Sequence, residues 1–158
     1  AAPIWTAVEA ELGKLAGEED GLSVPEVEAK MTDPDVVAEF LTVTQVDSLA
    51  VTIGNVHGKY TRPPQLDFDR LTRIREAAEI VGDIPLVLHG ASGLDQSLLS
   101  AAIAAGVCKF NVNTEARAAA RIAAQEAAAR GDDVLDTMQH TTAAMRTSVL
   151  SHMRLLGW

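Results

Sequence analysis

A single cysteine, Cys108, is present in the 158 residues, so no disulfide framework can form within the chain. Aromatic residues make up only 4%. The core must therefore be aliphatic, and the abundance of alanine calls for closely packed helices. Positive charge is also scarce: 13 Lys and Arg face 22 Asp and Glu, for a net charge of -9. That deficit argues against a nucleic-acid surface, which needs a basic face. It leaves small anions open, because a few backbone N–H groups can hold them. No apolar run reaches the roughly 18 residues of a membrane helix, and no basic-then-apolar signal opens the chain. A soluble, cytoplasmic protein without a membrane or nucleic-acid partner is expected. What is present is a 47% hydrophobic content, enough for one domain with a real core and too apolar for a disordered chain.

Short apolar runs alternate with helical patterns. Residues 2–12 read as a strand, with Ile4, Trp5, Ala7, Val8, Ala10 and Leu12 apolar, and residues 13–21 as a Gly-rich acidic loop. Pro34 suits an early position in a helix that starts near Thr32 and runs to about Val43. Residues 46–53 form a second strand. Phe68, Leu71, Ile74 and Ala78 recur at three- and four-residue spacing, which predicts a helix over 67–80. A third strand at 85–89 leads through a Gly-rich turn at 90–93 to a helix at 95–105. A fourth strand at 107–112 precedes an Ala-rich helix over 114–129. A last helix at about 133–155 carries Leu135, Met138, Met145, Val149, Met153 and Leu156 on one stripe. This β-α-β-α-β-α-β-α-α order predicts parallel strands with right-handed crossovers, buried on both faces. No linker divides residues 1–158.

The reactive residues collect at strand ends. Glu9 and Glu11 end the first strand, His57 the second, His89 the third, and Asn111, Asn113 and Thr114 follow the fourth. In parallel α/β folds that edge is where active sites form. A single His at a strand end is commonly a structural hydrogen-bonding residue. Two at equivalent places on adjacent strands, roughly 5 Å apart, can reach one ion. Zinc accepts His nitrogen and in catalytic sites typically has three protein ligands, so two histidines are an incomplete set. Glu11 can complete it, or a ligand from elsewhere. Gly90–Ala91–Ser92–Gly93 before a helix can cradle an anion; its plainer reading is a tight turn, and that of Thr114 is an N-cap. Glu18, Glu19 and Asp20 read either as a solvated acidic loop or as a mobile general acid/base. His140 and His152 read as surface or packing residues, Cys108 as a buried small hydrophobe, and the methionines as core.

Residues 8–20, 46–58, 85–93 and 109–114, in that order and spacing, resemble the class II, zinc-dependent ketose-bisphosphate aldolases, which act on fructose or tagatose bisphosphate. The resemblance implies a (β/α)8 TIM barrel, of which this chain matches the C-terminal half: strands five to eight and the C-terminal helices. It implies that His57 and His89 are zinc ligands, with Glu11 a carboxylate near the metal. Glu19, with Glu18 beside it, matches the acidic loop implicated in proton transfer. Gly58, Gly90 and Ser92 match the site for the dihydroxyacetone-phosphate end and an adjacent monovalent cation. Asn111, Asn113 and Thr114 match the segment that contacts the ketose and its phosphate. The implied activity is aldol cleavage and condensation in carbohydrate metabolism, with zinc as Lewis acid.

One departure stands out. Where the family often carries Arg for the distal phosphate, residues 131–140 hold acids and no Arg. A carboxylate repels phosphate that Arg would bind bidentately. A substrate without that phosphate, or a binding group from another chain, is the expectation. A barrel of this kind typically needs about 250 residues, so the matched half should expose two strand edges and an apolar concave face. It should not persist as a monomer. A second polypeptide supplying strands one to four, a second copy of this chain, or origin as a piece of a longer aldolase would each account for it. A non-catalytic subunit that completes or assembles another barrel is the alternative function.

Overall fold

The computed structural model describes residues 6–19, 22–24, 30–58, 60 and 62–157, with the backbone alone for 17–19 and 22–24. Residues 2–5, Asp20 and Gly21, which figure in the expectations above, lie outside the described residues.

Residues 1–111 form one compact unit. Its main sheet contains β1 (Glu9–Leu12), β4 (Ser48–Val51), β6 (Leu86–Leu88) and β7 (Val107–Phe110), all parallel and in that spatial order. Between them run α1 (Val37–Thr44), α2 (Phe68–Glu79) and α3 (Gln96–Ala104). Spatial order follows chain order without the reversal that marks an open doubly wound sheet, as in a segment of barrel wall. The central strands are apolar on both faces: Leu49, Ala50, Val51, Leu86, Val87 and Leu88 are fully buried. Val37 and Leu41 of α1, Leu71, Ile74 and Ala78 of α2, and Leu99 and Ala102 of α3 add the helical side of the core. The periodic spacing predicted for residues 67–80 thus selects the buried stripe of α2. Its start is set by Asp67, whose carboxylate accepts from the Arg70 backbone N–H at 2.9 Å. Asp95 caps α3 in the same way, accepting from Leu98 N at 2.9 Å.

The acidic segment expected as a loop is instead strand. β2 (Ala16–Glu19) pairs antiparallel with β3 (Leu22–Val24) and parallel with β5 (Val56–His57) in a second small sheet. Residues 16–19 carry almost no apolar pattern; their strand character comes from backbone pairing, with the neighbouring β3 at 17–19 and with the distant β5 at 16–17. His57 therefore lies on β5, beyond a bend at 52–55, and not at the end of β4. The bend is held by buried Asn55, whose Oδ1 accepts from Ile53 N at 2.8 Å.

Cys108 is exposed, against expectation. The β6–β7 register shifts so that Leu86 pairs with Val107 but Val87 with Lys109. Cys108 is the extra residue of that irregularity, which breaks the in–out alternation.

Residues 112–158 form a second unit, a hairpin of α4 (Thr114–Arg130) and α5 (Val134–Leu155). Gly131, in the left-handed conformation at φ 76°, ends α4. Asp133 caps α5 through Asp136 N at 2.9 Å, and Asp132 pairs with Arg130 at 2.7 Å. The two acids noted at the head of residues 131–140 thus serve the turn itself. His140 is exposed beside Asp132, and His152 reaches Glu115 of α4 at 3.2 Å. The α5 stripe is not core: Leu135, Met138, Met145, Val149 and Met153 are all exposed, as is Met31 in the first unit. Helical periodicity shows that a stripe exists, not what covers it, and α5 buries no residue fully within this unit.

Candidate metal centre

Strand alternation puts Glu9 and Glu11 on the same face of β1, and parallel pairing aligns Glu11 with Ala50 on β4 and Val87 with Lys109 on β7. This face is not the apolar one expected. It carries Glu9, Glu11 and Lys109, with the smaller Ala50 and Val87 between. His89 follows β6 directly, and His57 closes β5. Two strands of the main sheet, β1 and β6, and β5 of the small sheet thereby bring Glu11, His57 and His89 together, each offering a ligand atom within 4.8 Å of the others. The two imidazole rings stack with centroids 5.8 Å apart.

His89 sits between two carboxylates. Its Nε2 hydrogen-bonds to Glu9 Oε1 at 3.0 Å. Its Nδ1 lies 3.2 Å from Glu11 Oε2, close enough for charge attraction but without hydrogen-bond alignment, so Nδ1 is buried with no hydrogen-bond partner. The Glu11 carboxylate raises the His89 pKa above its usual range, against burial and with Glu9 assisting. Burial alone would raise Glu9; hydrogen bonds from His89 and Lys109 outweigh it and hold that carboxyl below its ordinary value. Lys109 Nζ donates to Glu9 Oε2 at 2.9 Å and to Asn111 Oδ1 at 2.7 Å.

The backbone around His89 is held from both sides. Asn55 Nδ2 donates to His89 O at 3.0 Å, Asn111 N to Leu88 O at 3.1 Å, and Ala91 N to Asn111 O at 3.3 Å. Tyr60 Oη donates to Gly90 O at 3.0 Å and accepts from Val56 N at 3.4 Å. Gly90, at φ 64°, lies so close to β5 that a Cβ would fall 2.0 Å from Val56 O. Ser92 is buried in the turn that follows, and Gly58 extends from His57. Of the remaining predicted site residues, Glu18 and Glu19 lie on β2 with their side chains outside the described residues. Asn113 and Thr114 belong to the second unit. There Asn113, not Thr114, takes the N-cap position of α4, with no side-chain cap bond. Reading strand ends found Glu9 but gave it no role, and it passed over Lys109, Asn55 and Tyr60. Lys109 was visible only as a charge inside a short apolar strand.

One carboxylate and two imidazoles form a donor set that zinc accepts, and the buried Nδ1 of His89 suits a ligand atom.

A family model, fructose-bisphosphate aldolase class-II, matches residues 1–158. The chain belongs to the class II aldolases. Among solved structures it resembles the YdjI aldolase from Escherichia coli K12, at 38% identity over 96% of this chain and 49% of that one, with a TM-score of 0.76. It also resembles a protein from Coccidioides immitis assigned as a fructose-1,6-bisphosphate aldolase: 35% identity, 95% and 52% coverage, TM-score 0.84. The fructose-bisphosphate aldolase of Campylobacter jejuni shares the fold at 23% identity and TM-score 0.66. The chain spans about half the length of these aldolases, and its sheet is part of the α/β barrel they share.

Proposed function

We propose that this chain provides the C-terminal half of a zinc-dependent aldolase that cleaves and forms carbon–carbon bonds with a dihydroxyacetone-phosphate-type donor. The observation that carries the reading is the convergence of Glu11, His57 and His89 in a chain of the class II family. His57, His89 and Glu11 would hold the zinc, which when bound supplies Lewis acidity toward the donor carbonyl oxygen. The turn at Gly90 and Ser92, with Gly58, would hold the donor phosphate through backbone N–H groups and the hydroxyl, beside a monovalent cation. Asn111, Asn113 and Thr114 would contact the ketose and its phosphate, and Asn111 is already oriented by Lys109. Glu19, with Glu18 adjacent, would move the proton. Fixing the donor in this cradle converts a bimolecular encounter into an oriented one.

In this reading residues 1–158 act as one half-barrel, completed by a second polypeptide or by a longer chain of which these residues are part. The protein should therefore be assayed as purified, together with any chain that accompanies it. Native mass spectrometry with metal analysis should find one zinc per site, and ketose phosphate should be cleaved to dihydroxyacetone phosphate and an aldehyde. His57→Ala should lose zinc and turnover together. Full turnover in His57→Ala would mean that the chain only completes another subunit's barrel.

A further inference from the structure

We propose that Glu9 and Lys109 are positioning residues: Glu9 holds the Nε2 hydrogen of His89, so that Nδ1 is the atom presented to the metal, and Lys109 ties Glu9 to Asn111. The proposal rests on the metal-centre reading above and goes beyond its ligand list.

The two carboxylates flanking His89 are not equivalent. Both oxygens of Glu9 are engaged, Oε1 by His89 Nε2 at 3.0 Å and Oε2 by Lys109 Nζ at 2.9 Å, with Ser48 Oγ at 3.4 Å. Glu11 has no such cation among the described residues and stands 3.2 Å from a His89 nitrogen that lacks a hydrogen-bond partner. One edge of the ring is thus committed to hydrogen bonding, while the other faces Glu11 and His57. Metal-bound histidines characteristically give their second N–H to a carboxylate, which sets the tautomer and the ring orientation.

Lys109 extends this hold. β1 and β7 are opposite edges of the four-strand sheet, about 14 Å apart if it were flat. The Glu9–Lys109 bond therefore spans one face of the sheet between residues 100 positions apart. The same ammonium occupies Asn111 Oδ1 at 2.7 Å, which leaves the Asn111 N–H groups to donate elsewhere. One lysine thus couples the orientation of a metal ligand to that of a substrate contact. It also neutralises one of two adjacent carboxylates and discourages Glu9 from competing as a ligand.

The test is zinc affinity by chelator competition, with the His89 tautomer read from two-bond 1H–15N NMR spectra of the zinc-loaded protein and thermal unfolding as the folding control. Glu9→Gln should weaken zinc binding about 10–100-fold and lose the single Nε2–H tautomer. Lys109→Met should weaken it in the same direction, and the double variant by less than the sum, because both act through one contact. If Glu9→Gln does not fold, Lys109→Met decides alone by the same criteria. Folded variants that bind zinc within twofold of the parent and keep its tautomer would overturn the proposal. His89→Ala separates the two readings. Unchanged zinc affinity there removes the metal centre itself, whereas loss in His89→Ala beside no change in Glu9→Gln removes only the positioning role.

Discussion

At the scale of single residues, the site depends on close approaches that tolerate no extra atoms. Gly90 is the sharpest case. Its positive φ and the 2.0 Å approach of a Cβ to Val56 O mean that any side chain must push β5 away from β6. β5 carries His57, so the displacement would reach the Glu11–His57–His89 cluster. Gly90→Ala is expected to cost more than about 1 kcal/mol and to weaken zinc binding; denaturant unfolding and metal titration check both. Cys108 is the opposite case. It is the exposed extra residue of a register shift, and Cys108→Ser should change stability by less than about 0.5 kcal/mol in the same unfolding experiment.

At the scale of elements, aspartates set the starts of α2, α3 and α5. Asp67 accepts the Arg70 backbone N–H, the chief cause of its lowered pKa, and pairs with the Arg70 guanidinium despite a partly exposed side chain. A carboxyl whose folded pKa lies below its unfolded value contributes stability that is complete above the unfolded pKa. That contribution is lost as pH falls through the folded pKa. Asp67→Ala should therefore destabilise α2 by about 1 kcal/mol at neutral pH. The gap between parent and variant should shrink on acidification below the ordinary aspartate range. A difference that persists unchanged in acid, measured by unfolding across pH, would show that the charge plays no part. The β2–β5 pairing is the element that pattern reading had no means to find. Two residues of β5 and a Gly-Glu-Glu run have no hydrophobic period; β5 is a strand only through pairing with residues 16–17 some 40 positions away, while 17–19 also pair with the neighbouring β3.

At the scale of the whole molecule, β1 and β7 are sheet edges that pair with no other strand among the described residues, and α5 exposes an apolar stripe. Unpaired edges and apolar patches favour association. Native mass spectrometry should find this chain bound to a second polypeptide or to another copy of itself; a lone monomer that still binds zinc would contradict the prediction. Much of this architecture was legible along the chain. Apolar strand runs, the spacing of Leu71, Ile74 and Ala78, and aspartates ahead of helices specify local structure, because burial and capping act over one or two turns. The histidine–glycine pairs and Glu11 pointed to a shared site because parallel strands bring their C-terminal ends to one edge. Other features depend on contacts between distant segments. The exposed α5 methionines, the displaced Cys108 and the Glu9–Lys109 bond across the sheet all follow from which faces meet. Periodicity defines a face but does not choose its partner, so those outcomes were decided by the packing of the folded chain.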